Sequence, residues 1–89
     1  MKEKVSVLIE DDNQEFSHTL STYINAQDDM QVVGMARDGE EAIEIMQDIT
    51  PDVVLLDIIM PHLDGLGVLE KISTMQINKK PICIMLSAV

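Results

Sequence analysis

Three carboxylates and a hydroxyl in this sequence are spaced so that a suitable fold could bring them together. Glu10-Asp11-Asp12 directly follows the apolar run Val7-Leu8-Ile9. Asp57 directly follows Val53-Val54-Leu55-Leu56, and Ser87 directly follows Ile82-Cys83-Ile84-Met85-Leu86. If all three runs are parallel strands, their carboxyl ends share one edge, and Asp11, Asp12, Asp57 and Ser87 meet there. Converging carboxylates repel, and some would have to protonate unless a cation lies among them. Carboxylates, a backbone carbonyl and water form the all-oxygen shell that Mg²⁺ prefers, with Ca²⁺ or Mn²⁺ as alternatives. A carboxylate beside such a cation is a competent nucleophile toward a phosphoryl group. A neighbouring hydroxyl can then donate to a phosphoryl oxygen. The competing explanation for the acidic run is helix capping by Asp12 or Asn13, which needs only one such residue.

The pattern of the chain supplies the elements that such a site needs. Lys4–Ile9 reads as strand, and Gln14–Asn25 as a helix with Phe16, Leu20, Tyr23 and Ile24 along one stripe. His18 falls off that stripe and reads as a surface residue. Met30–Ala36 reads as a strand, with Gln31 and Gly34 suggesting an edge. Asp38 is placed to cap a second helix, with Glu40 and Glu41 in its first turn and Ala42, Ile43, Met46 and Ile49 on its buried stripe. Pro51 precedes the strand ending at Asp57. Met60-Pro61 blocks immediate helix, and Asp64-Gly65 turns into a third helix reaching Thr74, with Leu66, Val68, Leu69 and Ile72 apolar. Pro81 opens the last strand. Strict strand–helix alternation with short loops predicts an α/β fold with a parallel sheet and right-handed crossovers. The most apolar strands, one, three and four, are expected to be central.

Eighty-nine residues make one small domain. Six Lys and Arg against sixteen Asp and Glu give a net charge of −10, which argues against direct contact with nucleic acid. The single Cys83 excludes an intrachain disulfide and reads as a buried, inert thiol. No stretch is long and apolar enough for a membrane span, and no signal-peptide pattern opens the chain.

Asp57-Ile58-Ile59-Met60-Pro61-His62-Leu63-Asp64-Gly65, following an apolar strand, resembles the phosphoacceptor segment of bacterial two-component response-regulator receiver domains. The resemblance runs from Val5 to Ser87. Within that family, the string continued to Leu66 is most similar to the regulators of sporulation in endospore-forming Firmicutes. The resemblance implies a flavodoxin-like (CheY-like) sheet of order 2-1-3-4. It implies that Asp57 accepts the phosphoryl group. Asp12 and Asp57 would bind Mg²⁺ directly, together with the backbone carbonyl of Ile59, while Asp11 would act through water. Ser87 becomes the switch hydroxyl, and Met60 and Pro61 shape the pocket. Glu10 matches no standard position and reads as a charged surface neighbour.

A receiver is a phosphoacceptor rather than a turnover enzyme. The expected donor is a histidine kinase or phosphotransferase in a cytoplasmic phosphorelay controlling sporulation transcription. Whole receivers continue with a helix, a strand, a phosphoryl-pairing Lys and a last helix, so residues 1–89 read as a single, C-terminally truncated receiver with no obvious replacement for that Lys. Lys79 and Lys80 precede strand four, at the opposite edge. A truncated receiver could instead act only as an interaction or dimerisation module. The free edge of strand four is apolar, and a homodimer through that side is expected. A phosphatase of the haloacid-dehalogenase type would need a second Asp two residues after the nucleophile, where this chain has Ile59.

Overall fold

The computed structural model describes residues 3–57, 65–74 and 80–86. The elements are β1 (Val5–Glu10), α1 (Gln14–Asn25), β2 (Met30–Ala36), α2 (Gly39–Asp48), β3 (Val53–Asp57), α3 (Gly65–Thr74) and β4 (Ile82–Leu86). All the strand pairs are parallel, and the sheet order is β2-β1-β3-β4, as expected of the flavodoxin-like arrangement.

Register follows from burial on both faces of β1. Val7 and Ile9 point to the α1 side, where they pack with Ile24. Leu8 points the other way, into a cluster with Ala42, Ile43 and Met46 of α2, Ile72 of α3, and Val54 and Leu56 of β3. A one-residue slip would exchange these faces. Against β3, Val7 lies opposite Val53 and Glu10 opposite Leu56. Against β2 the register shifts between Val7, opposite Val32, and Leu8, opposite Gly34, so Val33 is the extra residue of a bulge. Gly34 also lets α2 approach: a Cβ there would lie 3.1 Å from Leu8 Cδ1 and 3.3 Å from Ile45 Cγ2.

At the amino end of the sheet Asp52 ties three strands together. Its carboxylate Oδ2 accepts from the Ser6 backbone N–H and hydroxyl at 2.9 and 3.1 Å. Its own N–H donates to the Ser6 carbonyl at 3.0 Å, and its carbonyl accepts from Ile82 N at 3.0 Å.

Four side-chain expectations need correction. The buried face of α1 is Ser17, Ser21 and Ile24, not Phe16 and Tyr23, which are 46% and 67% exposed. Small serines let α1 lie close to the sheet, and the two aromatics fall outside that contact. Ile49 is also exposed, at 41%, because α2 has ended and Ile49 is its extended C-cap. β4 is not buried on both faces. It lies at the sheet edge among the described residues, with Ile82 and Ile84 exposed and Cys83 and Met85 packed against the α2/α3 cluster. Cys83 is therefore half-buried rather than sealed. The fourth correction is Glu10, which is fully buried rather than a charged surface neighbour.

Candidate functional site at the carboxyl end of the sheet

β1 and β3 are neighbours, and Glu10 pairs with Leu56. The next residue on one strand is Asp11 and on the other Asp57. Residues 46 apart in sequence thus lie side by side at the edge where the helices begin. Beyond β3, Asp57 pairs with Leu86 of β4. Ser87, Ile59, Met60 and Pro61 lie outside the described residues, as does the side chain of Asp57.

The acidic run is graded from buried to open. Glu10 is 0% exposed and Asp11 6%, whereas Asp12 is exposed. Glu10 is therefore no surface residue. It is still paired on both sides, with Ala36 of β2 and Leu56 of β3, and alternation turns its side chain to the same face as Leu8. Strand alternation past Ile9 would have revealed this, had β1 been extended by one residue. Asp11 turns to the α1 side. Its N–H donates to the Ala36 carbonyl at 3.0 Å, and its Oδ1 accepts from Asn13 N at 2.8 Å.

Asn13, not Asp12, caps α1. Its Oδ1 accepts from Phe16 N at 3.0 Å, leaving Asp12 exposed between a fixed strand end and a fixed helix start. The β2–α2 turn is built the same way. Asp38 Oδ1 accepts from Glu41 N at 2.9 Å, and Glu41 Oε1 accepts from Arg37 N at 3.0 Å, a reciprocal arrangement at the helix start. The Arg37 guanidinium reaches Glu41 Oε2 at 3.7 Å.

A groove of about 740 Å³ opens between the first half of α1 and the end of β2, with Asp11, Ser17, His18, Met35, Arg37 and Glu41 among its lining. His18 is exposed, as expected. Among the described residues no group of three or more His, Cys, Asp and Glu side chains is placed to hold a metal ion. Asp11, Asp12 and Asp57 nevertheless sit on adjacent strand ends and offer only oxygen, which fits a hard divalent cation and no soft one.

A family model, the response regulator receiver domain, matches residues 7–89. The response regulator domain of CheB from Thermotoga maritima is 38% identical, with a TM-score of 0.85 over 96% of this chain. The signal receiver domain of the response regulator NarL from Mycobacterium tuberculosis is 33% identical, with a TM-score of 0.86 over 98%. The chain spans 61% of the CheB structure's length and 68% of the NarL structure's. Receiver domains are phosphoacceptor signalling domains, generally phosphorylated on Asp with the help of Mg²⁺, and they interact with histidine kinases or phosphotransfer proteins. No described helix is long and apolar enough to cross a membrane. Strand order, the paired ends of β1 and β3, and these matches converge on one conclusion: the chain belongs to the response regulator receiver domains.

Proposed function

We propose that residues 1–89 act as one receiver domain that takes a phosphoryl group on Asp57. The observation that carries this reading is the Glu10–Leu56 register, which brings Asp11 and Asp57 to one level on neighbouring strands. A carboxylate oxygen of Asp57 attacks phosphorus, forming an O–P bond. The bond from phosphorus to the donor's leaving group breaks, and the leaving group departs with the electron pair. Asp11, Asp12, Asp57 and the Ile59 carbonyl would hold Mg²⁺, which when bound supplies charge neutralisation for the incoming phosphoryl oxygens. Asp11 Oδ1 accepts from Asn13 N, which fixes that one carboxylate. Ser87 would donate its hydroxyl to the transferred group.

The donor is a histidine kinase or phosphotransferase in the cytoplasm. The similarity of Asp57–Leu66 to sporulation regulators supports a place in a phosphorelay governing sporulation transcription. The test is incubation with acetyl phosphate and Mg²⁺ followed by intact-mass measurement. One phosphoryl adduct is expected, absent in Asp57→Asn; labelling that persists in Asp57→Asn refutes the assignment.

A second reading rests on β4. Ile82 and Ile84 are 67% and 47% exposed on the edge strand of the described sheet. Such an edge is a template for pairing, and a two-fold homodimer through it would bury the exposed isoleucines. Sedimentation at micromolar concentration tests this, with Ile84→Lys expected to shift the protein toward monomer.

A further inference from the structure

Accepting a phosphoryl group adds charge to an edge already crowded with carboxylates, so a cation from the chain itself is wanted there. The described Lys and Arg residues are Lys4, Arg37, Lys71 and Lys80. Lys4 precedes β1 and Lys80 precedes β4, both at the amino end of the sheet. Lys71 lies in the last turn of α3, and the crossover returns that turn to the same end. Arg37 alone among them follows a strand, β2, at the carboxyl end.

Its position is fixed by its neighbours. The Ala36 carbonyl accepts from Asp11 N at 3.0 Å, so Arg37 leaves β2 beside Asp11. Arg37 and Asp11 line the same groove. From the backbone of β2 to that of β3 is two strand spacings, roughly 10 Å. What holds Arg37 in place is its backbone, through the bond from its N–H to Glu41 Oε1. Its guanidinium is held only loosely. The 3.7 Å contact with Glu41 is longer than a charge-assisted hydrogen bond, and the side chain is 68% exposed. An exposed pair of this kind is weak. A phosphoryl group carries more charge than one carboxylate and presents oxygens that match the guanidinium fork.

We propose that Arg37 is an anion-stabilising residue of the receiver site: it exchanges its loose contact with Glu41 for the phosphoryl group on Asp57, across the end of β1. The inference rests on Asp57 being the acceptor. It adds a residue that sequence pattern alone did not single out.

The test compares wild type with Arg37→Gln, Arg37→Lys and Lys4→Gln. The last removes the same charge at the far end of β1 and controls for net charge. Two quantities are measured: the affinity for beryllofluoride in saturating Mg²⁺, and the affinity for Mg²⁺ alone. Arg37→Gln should weaken beryllofluoride binding about tenfold, less than loss of a buried oxyanion donor because the arm is solvated. It should tighten Mg²⁺ binding, since a positive charge has left the acidic edge. Arg37→Lys should fall between wild type and Gln, and Lys4→Gln should match wild type. Damage to the fold would weaken both ligands together. Parallel weakening, an Arg37→Gln protein equal to wild type, or an equal effect from Lys4→Gln would each overturn the role of Arg37 while leaving Asp57 as acceptor. Failure of wild type itself to bind beryllofluoride would remove the phosphoacceptor reading and this inference with it.

Discussion

The two faces of the sheet use alternate residues of the same strands and end in different states. Toward α2 and α3, Leu8, Val54 and Leu56 are 0% exposed, and Ala36, Ala42, Ile43, Met46 and Ile72 join them in one buried cluster. Toward α1, Val7, Ile9 and Ile24 are buried, but Val53 and Leu55 are only partly covered, and Ile82 and Ile84 are exposed. Leu55 lies opposite Ile84, and Val53 opposite Ile82, so the open surface is continuous across β3 and β4. Composition does not separate the faces, since both are aliphatic. What separates them is helix cover, and stability should follow cover rather than hydrophobicity.

The strongest way to break that comparison is paired truncation. Leu8→Ala on the closed face should cost about 2–5 kcal/mol, whereas Ile84→Ala on the open face should cost about 0.5 kcal/mol or less. Urea titration measures both, and equal losses would show that the open face is covered in solution. Next in size is the close approach of α2. Gly34→Ala should destabilise by about 1–2 kcal/mol, because the added methyl meets Leu8 Cδ1 inside the packed face. The caps come after it. Asn13→Ala and Asp38→Ala should each lose about 1 kcal/mol. The N–H from which Asp11 accepts is the backbone of residue 13 and survives the substitution, so calorimetric titration should find Mg²⁺ binding unchanged in Asn13→Ala.

The smallest effect is at Cys83. Partial burial pushes its thiol above the ordinary value by desolvation. The unfolded chain then loses that proton first as pH rises. The contribution to stability is full below the ordinary thiol value and is lost as pH climbs through the raised, folded one. Cys83→Ala should flatten this slight alkaline decline. Wild-type thiol should also react with a disulfide reagent at pH 8 more slowly than free cysteine, and an equal rate would argue against its burial beneath the closed face.

Element order and sheet order were legible because apolar runs, Pro and turn residues punctuate the chain sharply. Asp57 stood out for the same reason: a carboxylate ends four apolar residues. Side-chain orientation was harder. Ser17 and Ser21 face the sheet because small residues let α1 settle close to it, a tertiary effect that displaces Phe16 and Tyr23 from the apolar stripe. Glu10 was misplaced because a charge at a strand end suggests exposure, although a strand paired on both sides keeps its last residue covered. Arg37 was invisible as a site residue because its relevance depends on β2 lying next to β1, and no local pattern states that adjacency.

The Asp52–Ser6 tie joins residues separated by 46 positions. A ribosome adding roughly 5–20 residues per second leaves Ser6 waiting roughly 2–9 s for its partner. During that interval one flank of β1 has no strand beside it, although β2 can already occupy the other. The nascent chain therefore carries a bare aliphatic ribbon at Val7-Leu8-Ile9, and the arrival of Asp52 is the event that closes it. Slowing elongation between α2 and β3 should make the protein depend on a holding chaperone without altering the finished fold.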